Sequence, residues 1–363
     1  MSLLGPLEGV LGLLVVGSVL LDIFYAVVVP RRAPRTTRLS SYVTRWLWRA
    51  WVWAGTRLQE SGRREGFLGS YGSATVMVLL VGWLAILMVG FGLMLDSLKA
   101  QLRPEPESLT SSIYFAGEAM LTIGFGDVVA VEQPARLITL AAGATGLGVF
   151  AVVLTFLFSI YGSFQRREVA VVVLEAGAGA PPSGVTLLET YALAGIMADL
   201  PRLFEDWQAW AAEVLDSHLA YPILAYFRSS HDNDSWISAL GAVMDAATLV
   251  LTTLDGGPKG WAKLTQTVGG HCLEDMAQYF RLPDPRDDPF VDRSEFDEAC
   301  RRLAAAGLAL RPTDEAWARF SHLRSTYAGR VNALAAYFAS PPAQWIGDRS
   351  PLREPGAHRA SRR

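Results

Sequence analysis

The chain has 363 residues, of which 51% are hydrophobic and only 18% charged, with 32 Lys and Arg against 35 Asp and Glu. That balance excludes a disordered solvating chain and a protein that grips nucleic acid through a basic surface. Its two cysteines, Cys272 and Cys300, exclude a disulfide framework and a four-cysteine zinc site. A mean hydropathy of +0.25 requires an apolar environment for part of the chain, and the expected fold class is an all-α membrane protein.

A helix needs roughly 20 apolar residues to cross a hydrocarbon core of about 30 Å. Gly9–Val29 is the first such stretch, within a first region 1–36, and carries a single charge, Asp22. Glu8 rather than a basic segment precedes it, so a retained span is expected in place of a signal peptide. In region 37–70, Trp46, Trp48, Trp51 and Trp53 interleave with Arg45, Arg49 and Arg57. This pattern predicts an amphipathic helix lying on the cytoplasmic side, rings in the headgroup layer and guanidinium groups on lipid phosphate.

Region 71–168 holds two further spans, Ser73–Leu95 and Leu137–Phe164, both without charge. Between them Ser108–Leu121 reads as a short, largely buried helix, with Ser108, Thr110 or Ser111 available to cap it. It runs into Thr122-Ile123-Gly124-Phe125-Gly126-Asp127. Alternating glycines allow backbone angles closed to other residues, so successive carbonyls can face the same way. Four such strands around an axis would stack rings of oxygen able to replace the hydration shell of potassium. One loop supplies a quarter of such a path, which implies a homotetramer. Arginine-rich loops before the second span and after the third, with an acidic segment between those spans, put the N-terminus outside and everything after Arg166 in the cytoplasm.

The hexapeptide Thr122–Asp127 resembles the selectivity filter of the potassium channel family. Its Ile123 and Phe125 are similar to the filters of two-pore-domain channels, and the surrounding region is similar to the bacterial two-span channels. The resemblance implies a re-entrant pore helix and K+ bound at Thr122, Ile123, Gly124, Phe125 and Gly126. It also implies a buried Glu118 pairing behind the filter with Asp127, an aromatic cuff at Tyr114 and Phe115, a supporting Arg136, and a gating hinge at Gly146. Phe125 lacks the hydroxyl of the usual tyrosine, and Leu121 stands where the family has a small polar residue. A potassium-selective channel is therefore expected. A weakly selective cation channel and a non-conducting signalling scaffold are the alternatives.

Beyond the third span, 169–184 reads as a linker, because Pro182 occupies the third position of a partial Gly-x-Gly phosphate loop begun by Gly177 and Gly179. Helical periodicity fills 185–340, with Leu193, Ile196, Met197 and Leu200 as one stripe and Trp207, Trp210, Ala211, Val214, Leu215 and Leu219 as another. Helices are expected over Trp236–Leu254, Trp261–Phe280, Arg293–Ala306 and Asp314–Phe338, with a disordered tail over 341–363. The clusters His231–Asp234 and Asp284–Asp292 lack calcium-loop spacing. No nucleophile–base arrangement stands out, so catalysis is not expected. A helical cytoplasmic domain that assembles or gates the channel, with an unidentified ligand, completes the expectation, and no cofactor other than the transported K+ is called for.

Overall fold

The computed structural model describes residues 4–29, 39–58, 61–229, 235–283, 290–340 and 344–347. The arginines at 31, 32, 35 and 38, the His231–Asp234 cluster, residues 284–289 and the tail from 348 lie outside them. Helices dominate, and three are long and apolar enough to cross a membrane: Gly5–Val28, Gly62–Asp96 and Gln133–Ala178. The chain is a membrane protein of all-α class. It divides into two compact units, one formed by 1–54 with 70–162 and the other by 55–69 with 163–363.

In the first unit α1 (Leu4–Ile23) packs along α4 (Tyr71–Asp96). Contact is close because Gly12 has no side chain: a Cβ there would lie 2.5 Å from the Gly90 carbonyl oxygen. Val16, Val19, Leu87, Phe91 and Leu95 fill the seam, while Leu13 and Leu14 stay more than half exposed on another face, as lipid-facing positions do. α2 (Leu39–Gly55) is fastened to both helices. Asp22, in the last turn of α1, accepts from the Ser40 amide at 3.2 Å, the Ser40 hydroxyl at 3.1 Å and the Trp83 indole N–H of α4 at 2.9 Å. A carboxylate facing the first amides of a helix is favoured by the unpaired donors and the dipole there. At the start of α4 the Tyr71 hydroxyl donates to the Thr44 carbonyl, and its ring packs edge-on against Trp48 and Trp51.

A short helix α5 (Leu109–Met120) follows, between α4 and α6 (Gln133–Ala178). A two-stranded ribbon, Leu102–Arg103 antiparallel to Val129–Ala130, ties the segments flanking α5 together. α6 does not stop at 168: it continues through Val169–Ala178, where a linker was expected. Val171, Leu174 and Ala178 are buried along that extension, and Gly179, at φ +80°, ends the helix as a left-handed cap. The glycines mark the end of a helix here, not a flexible tether.

The second unit contains α3 (Ser61–Gly69), the end of α6, then α7 (Gly184–Leu193), α8 (Leu200–Ala220), α9 (Trp236–Thr252), α10 (Lys259–Phe280), α11 (Arg293–Ala305), α12 (Asp314–Ser325) and α13 (Ala328–Tyr337). Leu193 and Ile196 are more than a third exposed and straddle the end of α7, so that stripe is not one helix face. The Trp207–Trp210–Val214 stripe is buried. The helix expected over Asp314–Phe338 breaks at Tyr327, whose phenol reaches the buried Asp245 carboxylate at 2.5 Å. The expected tail begins with a packed segment: Trp345 lies against Phe320, and the Arg302 guanidinium donates to the Gly347 carbonyl at 2.7 Å. A single tryptophan between proline and glycine residues reads as tail in sequence, but burial against a ring and a cation fixes it here.

Arg167 is buried at the head of this unit. Its guanidinium bonds Glu168, the carbonyls of Leu224 and Phe227, and His218 Nε2 at 3.1 Å. Arginine only donates, so His218 must accept at Nε2 and stay neutral, with its Nδ1–H toward Ser217 Oγ. Burial, then the Arg167 charge, hold the imidazole well below its ordinary value of 6.5. The unfolded chain binds a proton near that ordinary value and the folded chain does not, so stability is full above it and falls as pH drops below it. The slope attributable to this group is about 1.4 kcal/mol per pH unit. Thermal melts of the full chain in detergent should lose stability from about pH 7 to about pH 5, and His218→Gln should remove most of that group's share. An unchanged slope in that variant would place the proton elsewhere.

Candidate functional site

α5 is built to start and stop where it does. The Ser108 side chain caps the Ser111 amide, and the Ser112 hydroxyl donates to Asp96 at the end of α4 at 2.8 Å. Phe115, Ala116, Gly117, Glu118 and Met120 are buried, while Tyr114 is 44% exposed. At the far end the chain turns on bonds from the amides of Leu121, Thr122 and Ile123 to the carbonyls of Gly117, Ala119 and Glu118.

The hexapeptide that follows is extended and irregular, outside any helix or strand. Positive φ occurs at Thr122 (55°), Gly124 (66°) and Gly126 (78°), but not at the intervening Ile123 and Phe125. Alternation of handedness residue by residue turns successive peptide planes the same way, which lines up carbonyl oxygens along one side. A β-branched threonine at φ 55° is costly, of order 1–3 kcal/mol, and such strain gathers where function requires it. All six residues are exposed, Ile123 at 49% and Phe125 at 70%.

The residues expected to support that segment are placed as follows. Glu118 is buried and its Oε1 accepts from the Gly126 amide at 3.0 Å, bracing the extended segment from behind. Its Oε2 is enclosed and has no partner among the described residues. Asp127 is exposed and engages the Tyr114 hydroxyl. The expected Glu118–Asp127 hydrogen bond is therefore not formed in this conformation. Glu118 instead accepts from the Gly126 amide, and Asp127 turns to the Tyr114 side. Phe115 is buried against the α4–α6 core, and the Arg136 guanidinium donates to the Ala130 carbonyl at 3.1 Å, closing the ribbon.

Gly146 sits beside the end of α5. A Cβ there would lie 2.1 Å from the Met120 carbonyl oxygen, so α6 touches the α5 terminus backbone to backbone. α6 runs unbroken through this point. Two relations escaped sequence reading: the Asp22–Ser40–Trp83 cluster, whose signal was one charge in an apolar span, and the Tyr114–Asp127 contact.

This arrangement defines a membrane protein carrying an ion-channel domain. Residues 73–162 match the family described as ion channel. The voltage-gated potassium channel Kch of Escherichia coli is 42% identical over 65 residues, 17% of this chain and 16% of that protein. An uncharacterized membrane protein of Bacillus subtilis, YdjJ, is 27% identical over 205 residues, 55% of this chain and 59% of the relative. The chain thus spans less than two thirds of either relative. No solved structure matches the chain.

Proposed function

We propose that four copies of this chain surround an axis and conduct K+ passively along the carbonyl oxygens of Thr122, Ile123, Gly124, Phe125 and Gly126. The observation that carries this reading is the alternation of positive φ through that segment, held by Glu118. Two further features support it. The six residues are solvent-exposed in the single chain although two are large and apolar, as expected of a surface that neighbouring copies and ions complete. Irregular backbone between membrane spans is tolerated only where it is covered by protein or lines a water-filled path, which fits α5 as a re-entrant pore helix.

In this reading Tyr114, Phe115, Asp127 and Arg136 support the filter, and Gly146 is where α6 meets the pore helix and where gating flexure would act. The N-terminus faces outside and the unit after Ser163 is cytoplasmic, by the distribution of arginine. That unit assembles or gates the pore. Purified full chain in potassium-loaded liposomes should take up rubidium in a barium-sensitive manner, and planar-bilayer reversal potentials in mixed salts should favour K+ over Na+. Reversal near zero would select the weakly selective cation channel, for which the missing hydroxyl at Phe125 supplies the reason. Absence of uptake across pH and lipid conditions would select the non-conducting scaffold.

A further inference from the structure

The two faces of α2 differ in kind. Ser40 and Trp48 are buried on one side, and Tyr71 of α4 packs against that side. The other side exposes Tyr42 (47%), Arg45, Trp46 (65%) and Arg49. On this side the guanidinium of Arg45 lies over the Tyr42 ring at 5.7 Å, and that of Arg49 over the Trp46 ring at 5.3 Å. Arg45 donates its Nε to the Ser41 carbonyl at 3.2 Å, so the pair of terminal nitrogens is not used in that bond. No acidic residue occurs anywhere in α2.

The position of this face is fixed by the contacts of α2. Its first turn is bonded to Asp22 near the inner end of α1, and its middle to Tyr71 at the first residue of α4. Both are ends of apolar helices that meet on one side of the bilayer. α2 is therefore held at the level where those helices leave the hydrocarbon, with two exposed aromatic rings and two arginines four residues apart. Aromatic rings favour that level for their amphipathic character, and neighbouring guanidinium groups at i and i+4 suit phosphate oxygens.

We infer that the Tyr42–Arg45–Trp46–Arg49 face of α2 binds the headgroups of anionic phospholipids, with Asp22 as the positioning residue that sets its height. Stacking on the rings orients the two guanidinium planes and lowers the cost of ordering them. The headgroup of phosphatidylglycerol then supplies the negative charge that α2 lacks. The inference uses the membrane placement argued under the proposed function, but not ion conduction.

The test is lipid retention by the purified full chain in mixed micelles of phosphatidylglycerol and phosphatidylcholine, read by native mass spectrometry. Wild-type chain should retain phosphatidylglycerol preferentially. Arg45→Gln with Arg49→Gln should lower that preference on the order of tenfold or more, since each basic group near an anionic surface contributes roughly fivefold. Arg45→Lys with Arg49→Lys should keep most of the preference, because the charge remains; this pair also guards against a fold defect. Brominated phosphatidylglycerol should quench fluorescence in wild type more than in Trp46→Phe. Equal preference in wild type and the glutamine pair would overturn the inference. So would Trp46→Cys chains forming disulfide-linked dimers across subunits, which would mean that a second copy covers the face. Rubidium uptake by the same preparations after reconstitution into liposomes separates the two readings: lipid preference without uptake defeats conduction alone, and uptake without lipid preference defeats this inference alone.

Discussion

Gly146→Ala is expected to abolish both stable assembly and rubidium uptake. The added methyl would have to occupy a point 2.1 Å from the Met120 carbonyl oxygen, and neither partner is a side chain that can rotate away. α5 and α6 must separate, and overpacking of this kind costs 1–3 kcal/mol or more. The filter-like segment begins two residues after Met120, so the separation is delivered directly to Thr122. A hinge at Gly146 without that close approach predicts something different: chains that assemble normally, with a changed open probability. Size-exclusion with light scattering, beside single-channel records, distinguishes the two. Gly82→Ala on α4, where a Cβ meets nothing within 4 Å, serves as the control and should leave both readouts within about twofold. An assembled Gly146→Ala channel with wild-type filter behaviour would remove the close-approach argument.

The second large effect lies in the unit that contains α7 to α13. Asp245 is 3% exposed and accepts from Arg324 Nε at 2.9 Å, Arg324 Nη2 at 3.2 Å and the Tyr327 hydroxyl at 2.5 Å. Burial and the Asp245 charge keep the Tyr327 phenol protonated well above its usual range. That hydroxyl also meets Thr248, which in turn takes the Gln266 amide. Asp245→Ala leaves a guanidinium buried without its counter-charge, a loss of about 3–5 kcal/mol. For a unit of this size that is roughly a 10 °C fall in melting temperature. Combining Asp245→Leu with Arg324→Met should recover much of the loss, because no charge is then stranded. Chemical denaturation of the full chain followed by tryptophan fluorescence measures both. A single variant within about 0.5 kcal/mol of wild type would show that water reaches the pair and that it is not a structural core.

Those two sites also show what local sequence carries and what it does not. Hydropathy located all three long apolar helices, because a membrane span is a local property of about 20 residues. The Ser108 cap and the helical stretch after it were legible for the same reason: a side-chain oxygen and its amide lie three residues apart. Asp245 was readable only as a charge in the middle of an apolar helix. Its partners Arg324 and Tyr327 lie 79 and 82 positions away, and nothing in local pattern names them. Asp22 is the same case, with Trp83 61 positions off. The extension of α6 was missed because Gly177 and Gly179 look like a tether. Their meaning depends on whether Val171 and Leu174 have something to pack against. The candidate site was the most legible part, since its special backbone angles demand glycine at fixed spacing and leave a visible signature. The left-handed Thr122 carried no such mark.

The seating of Trp345 has a consequence for biosynthesis. The Ser183 hydroxyl that opens α7 donates to the Trp345 carbonyl at 2.8 Å, across 162 positions of chain. At about 5–20 residues per second, a ribosome needs roughly ten to thirty seconds to deliver the second partner after the first has emerged. Through that interval α7 stands without its closing strap, while the face around Phe320 and Arg324, synthesised just before Trp345, awaits its indole only at the end of it. Nascent chains therefore pass through an open intermediate whose lifetime is set by the speed of elongation rather than by the helices themselves.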